Sequence, residues 1–159
     1  MGMIGCYVRT DDIMTRQIQN GAEIDISSGK ENVLDIDKSW HAIHFTLTGE
    51  VWGADEKNIL SQIVFGGEPV NDEDMGYGPA RLLKKALVYQ LSNALEKIDE
   101  SSFRQCFDID GMIENHVYPI MDDENVDEFF EYVWSNFKEL KEFFRQAADQ
   151  GQNIISFIY

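Results

Sequence analysis

VDEFFEYVWSNFKELKEFFRQAADQGQNIISFIY, residues Val126 to Tyr159, decides the fold. Val126, Phe130, Val133, Phe137, Leu140, Phe144 and Ala147 recur at alternating spacings of four and three, the pattern of one helical face. Phe129, Trp134 and Phe143 widen that face well beyond a coiled-coil seam, so the helix is expected to be the central core helix of a globular domain. Acids from Asp122 to Glu128 sit at its start, where the helix dipole favours them, and Gly151 ends it. NIISFIY then reads as a buried strand that runs to the last residue.

Working back from there, Met3 to Arg9 is short, apolar and β-prone, and Thr10 with Asp11 and Asp12 predicts the cap and first turn of a helix running to Asn20. Gly21 to Glu31 reads as a loop or marginal edge strand. Asp37 is expected to cap a helix from Lys38 to Thr48, closed by Gly49, and Lys57 to Phe65 a further short helix stopped by Gly66 and Gly67. Asn71 to Asp74 predicts an exposed, mobile acidic loop. Pro79 suits an edge strand over Tyr77 to Leu83, with Tyr77, Pro79 and Arg81 on one face. Lys84 to Ile98 carries a Leu87, Leu91, Leu95 and Ile98 stripe, and two shorter helices follow, one near Phe103 to Phe107 begun by Ser101 or Ser102 and one capped by Asp108. The predicted class is α+β: a single domain with a small mixed sheet of three to four strands, including both terminal segments, packed on several helices.

A chain of 159 residues that is 43% hydrophobic buries about two-thirds of its unfolded surface and needs no disulfide or metal to hold it. Cys6 and Cys106 lie far apart with no metal-ligand spacing and are expected to be reduced, largely buried thiols. No run is long enough for a membrane span and no signal peptide is evident, so a cytoplasmic location is expected. With 29 acids against 13 bases the net charge is -16, which repels phosphate backbones and excludes nucleic acid as the expected partner. A basic protein partner fits such a surface, as does plain solubility.

The chemistry-bearing stretch is LDIDKSWHAIHFTLTG, Leu34 to Gly49. Asp37, His41 and His44 share a helical face, but the first and last Cα atoms stand about 10 Å apart, too far for three ligands on one ion. No metal or other cofactor is expected. His44, between Trp40 and Leu47 on the apolar stripe, reads as a neutral, hydrogen-bonded core residue, His41 as an exposed flank residue able to titrate, and Trp40 as a core anchor or a pocket wall. GYGP, Gly76 to Pro79, lacks the glycine and lysine spacing of a phosphate loop. Arg81 beside it is one of five arginines in an acidic chain, suited to clamp an anion or to bridge nearby acids. Neither cysteine has an activating neighbour, and no nucleophile elbow is present.

MGMIG at the start, LDIDKSWHAIHFTLTG, GYGPARLL, VYP at 117 to 119 and AADQG before the last strand together resemble the YfbM-like family of uncharacterised bacterial proteins. The resemblance spans the whole chain and implies one α+β domain over residues 1–159, a bacterial cytosolic setting and no catalytic residues to carry over. Its distinctive positions direct attention to Asp37, Trp40, His41, His44, Tyr77, Arg81 and Tyr118 as candidate ligand-binding residues. The helix start near Asp37 and the Tyr77 to Arg81 strand are expected to approach each other. The leading functional expectation is a non-catalytic acidic module of the immunity or regulatory type that binds a basic protein. The alternative is a small-ligand binder or minor hydrolase with a cleft near His44, Tyr77 and Arg81.

Overall fold

The computed structural model describes residues 2–159. Strands β1 (Gly5–Thr10), β2 (Val33–Asp35), β3 (Glu68–Asp74), β4 (Pro79–Leu83) and β5 (Asn153–Ile158) form one sheet in the order β2-β1-β5-β4-β3. The sheet therefore has five strands where three or four were expected, and every pairing is antiparallel rather than mixed. The two chain ends meet at its centre, with Gly5 opposite Ile158 and Thr10 opposite Asn153. The ladder extends to the last residue, because Ile4 and Tyr159 exchange both backbone hydrogen bonds, at 2.8 and 3.0 Å.

One sheet face carries a helical layer and the other a thinner cover. Helices α2 (Trp40–Thr48), α3 (Gln62–Phe65), α4 (Lys85–Glu96), α5 (Glu100–Cys106), α6 (Ile109–Glu114) and α7 (Val126–Asp149) follow α1 (Asp12–Gln19) in the chain. Tyr7, Leu83 and Ile154 join the main core with residues of α2, α4, α5 and α7. Cys6, Val8, Leu82, Ile155 and Phe157 point the other way, against Ile18 of α1. Burial on both faces is why β5 reads as an almost unbroken apolar run. Its one amide, Asn153, ties three elements together: its side chain donates to Asp12 and Thr15 at 3.0 Å each and accepts from the Lys85 backbone N–H at 2.9 Å.

Helix α7 follows its sequence closely, capped by Asn125, whose side chain accepts from the Glu128 N–H at 3.1 Å. Elsewhere the termini moved. Asp11 rather than Thr10 caps α1, and Asp99 rather than a serine caps α5. The helix foreseen from Lys57 is a 3-10 turn followed by the short α3. The acidic segment 71–74 is not a loop but part of β3, the sheet's edge, where charged side chains discourage pairing with another chain. That makes β4 an interior strand, and Pro79 is accommodated as its first residue. Cys6 and Cys106 are both free, yet only Cys6 is buried, its thiol pushed up to about 12 by burial first and Asp35 second, whereas Cys106 is exposed.

Removing Asn153–Tyr159 takes out the strand that joins β1 to β4 and should abolish the cooperative fold. Urea denaturation followed by near-UV circular dichroism is the check, and a sharp, native-like transition in the truncated chain would contradict this topology.

Candidate functional site

Antiparallel register sets Tyr7, Ser156 and Arg81 side by side across β1, β5 and β4: Tyr7 opposes Ser156, and Ser156 opposes Arg81. Because Leu83 and Ile154 of the same strands join the helical-side core, alternation puts these three residues on that face as well. There they floor a cleft of about 140 Å³. Trp40, Val64 and Phe65, from α2 and α3, form one wall, and the Tyr77-Gly78-Pro79 turn forms the rim.

Two glycines admit this geometry. A Cβ on Gly5 would lie 3.1 Å from the Cβ of Trp40, so the bare backbone lets the indole settle against β1. Gly76, at φ +130°, passes the chain terminus, and a Cβ there would stand 3.1 Å from the Tyr159 Cα. Trp40 is fixed from behind, its Nε1 donating to the Met3 carbonyl at 2.9 Å.

The polar groups differ in what they have left to offer. Tyr7 donates its hydroxyl proton to the Ile63 carbonyl at 2.8 Å, and burial holds that phenol above its usual range, so toward the cleft it is an acceptor only. Rim amides are spent: Tyr77 N–H donates to the Ile158 carbonyl, and Gly76 and Gly78 N–H to the Asp74 carboxylate at 2.8 and 3.1 Å. Arg81 is half-buried, and its one side-chain hydrogen bond among the described residues runs from Nη1 to the Gly67 carbonyl at 3.2 Å. Arg104 and Arg145 each pair with two acids, while among the described residues Arg81 pairs with none. A guanidinium with free N–H groups beside the Ser156 hydroxyl can receive an acceptor-rich group.

Of the residues singled out from sequence, Trp40, Tyr77 and Arg81 line this cleft, and the others do not. Asp37 caps no helix. It adopts φ +50° in a 3-10 turn, and its carboxylate accepts from the Tyr132 hydroxyl at 2.6 Å. The same hydroxyl accepts from the Lys38 N–H, so a residue 95 positions away holds the turn that a local cap was expected to hold. His41 is buried rather than exposed, stacked between Trp40 and Trp52 at centroid distances of 4.9 and 4.3 Å. Its Nδ1 accepts from the Tyr118 N–H at 2.9 Å, which leaves the proton on Nε2 to donate to the Val51 carbonyl at 2.8 Å. Tyr118 is thereby pinned behind Trp40, its hydroxyl accepting from the Met3 N–H at 3.0 Å.

His44 is fully buried and neutral, as expected, but its ring nitrogens make no hydrogen bond with the described residues; the ring stands edge to face with Phe65 at 4.6 Å. Among the described residues no group of three or more His, Cys, Asp or Glu side chains is placed to hold a metal ion. Tyr7, Ser156 and Phe65 escaped the sequence reading. The one available signal was the serine interrupting NIISFIY, a polar residue on the face that alternation assigns to the core.

The family model for a domain of unknown function, DUF1877, matches residues 1–157. The chain belongs to the DUF1877 family. It is 25% identical over 167 residues to Protein YfbM of Escherichia coli K12, with 99% of each chain covered. The crystal structure of YfbM from Escherichia coli, described as a protein of unknown function, matches with a TM-score of 0.73 at 24% identity, covering 98% of this chain and 99% of that one, and so shares the fold. No helix among the described residues is long and apolar enough to cross a membrane.

Burial depresses both histidines, and for His44, with neighbouring His41 as the lesser cause, the pKa falls to about 4. An unfolded imidazole titrates near 6.5, so below that value the unfolded chain takes up protons that the folded one refuses. The His44 contribution is complete above about pH 6.5 and is lost as pH falls toward about 4. His44→Leu should remove that loss: between pH 7 and 4.5 the native chain is expected to lose about 2 kcal/mol relative to the variant in urea titrations. A pH-independent difference would mean that His44 titrates normally.

Proposed function

We propose that this DUF1877 protein binds a small molecule in the cleft between the β1-β5-β4 floor and α2, without catalysing a reaction there. The observation that carries this reading is Arg81, a half-buried guanidinium unpaired with any carboxylate among the described residues, converging with Ser156, Trp40 and Tyr77 on one concavity. Convergent polar groups in an aromatic-lined cleft are the usual signature of a ligand site. The hydrolase form of the reading has less support. His44 does not line the cleft, and His41 has both ring nitrogens engaged by backbone groups, so neither is free to move a proton to a bound ligand.

A fragment screen by thermal shift tests the reading. At least one compound should raise Tm in the native chain and fail to do so in Arg81→Ala, whose fold survives because the substitution leaves the backbone pairing of β4 intact. Equal stabilisation of both chains would remove Arg81 from the site.

A second reading, an acidic module for a basic protein partner, is supported by charge. The ion pairs among the described residues engage seven of the 29 acids, leaving 22 without an ion-pair partner there on a chain of net charge -16. Such a partner should be retained by the tagged chain at low salt and elute as ionic strength rises, and retention insensitive to salt would count against it.

A further inference from the structure

Resting on the cleft reading above, we infer the class of its ligand: a small planar monocarboxylate, its ring held against Phe65 and Tyr77 and its carboxylate on Arg81, with the Ser156 hydroxyl as a second donor. Three independent features of the cleft lead there.

Size comes first. A cavity of about 150 Å³ accepts one benzene-sized ring, and the 140 Å³ here leaves room for a ring whose small substituent reaches the open side. Nucleotides, peptides and sugars with several rings exceed it.

Donor inventory comes second. Tyr7 has given its proton to Ile63, Trp40 has given its N–H to Met3, and the rim amides of residues 76–78 are committed to Ile158 and Asp74. The donors that remain are the guanidinium of Arg81 and the hydroxyls of Ser156 and Tyr77, so the ligand must supply acceptors. A planar carboxylate meets the fork of a guanidinium with two parallel hydrogen bonds. A phosphate, by contrast, calls for several backbone amides or a second cation, and the cleft has neither.

Wall shape comes third. Trp40, buried and stacked with His41 and Tyr118, closes the back of the cleft, while half-buried Phe65 and Tyr77, largely exposed at the rim, offer ring surface to a ligand. A flat ring gains aromatic contact with these two side chains, which a compact aliphatic acid does not. Charge selects the carboxylate and the walls select the ring.

The experiment compares benzoate, benzamide and phenylphosphonate by ligand-observed NMR titration against the native chain, Arg81→Gln and Ser156→Ala, with one-dimensional spectra confirming that each variant is folded. The inference expects benzoate to bind about tenfold or more tighter than isosteric benzamide, and tighter than phenylphosphonate. Benzoate binding should vanish in Arg81→Gln and weaken in Ser156→Ala. Benzamide binding as tightly as benzoate, or benzoate binding unchanged in Arg81→Gln, overturns the monocarboxylate class while leaving a ring-binding cleft in place. Tighter binding of phenylphosphonate overturns it in favour of a dianion. If none of the three binds and the thermal-shift screen also finds no Arg81-dependent ligand, the cleft reading falls together with this inference.

Discussion

Everything in this molecule depends on the last strand lying in the middle of the sheet. Paired on one side to the first strand and on the other to β4, β5 joins residues near the start, the middle and the end of the chain into one surface. Its two faces belong to two different cores, so each residue of NIISFI has its side fixed by alternation, and a one-residue slip would turn Ser156 out of the cleft and Ile155 into it. Helix α7 leads directly into β5, and its packing on α4 and the sheet holds that register. The row of Tyr7, Ser156 and Arg81 follows from this arrangement without further requirement.

The histidine-rich helix supports the cleft from behind, and the arginine strand faces it. His41 serves as a structural clip, its two nitrogens bridging the Val51 and Tyr118 backbones and its ring filling the space between two tryptophans. His44 is a neutral packing residue against Phe65. Both support the wall that Trp40 forms from within the core, and Trp52 is the exposed ring of that aromatic cluster. Arg81, in contrast, pairs with no acid among the described residues although the chain has more than two acids for each base, and its nearest fixed partner is a carbonyl at 3.2 Å. With one N–H on the Gly67 carbonyl and no carboxylate partner among the described residues, Arg81 keeps its remaining donors for something else.

The fold was legible in sequence wherever a long period carried it. Helix α7, β1, β5 and α4 all follow from apolar spacing, and so does the α+β class. Elements that depend on partners distant in sequence were not legible. The turn at Asp37 looked like a helix cap because nothing local reveals Tyr132, and β3 looked like a loop because NDED carries the charge of one while its backbone is recruited by β4. The same limit applies to the site. Trp40, Tyr77 and Arg81 were visible as unusual residues, but Tyr7 and Ser156 become neighbours of Arg81 only through a strand order that no local pattern encodes. Residue type marked the arginine; topology supplied its neighbours.

In the proposed function Arg81 keeps its guanidinium open for a ligand's carboxylate. A crystal structure of the chain grown with benzoate tests it most directly. A carboxylate within hydrogen-bond distance of Arg81 and Ser156, with the ring against Phe65 and Tyr77, is the expected result. Arg81 paired instead with an aspartate or glutamate of its own chain, and the cleft closed over it, would contradict the claim.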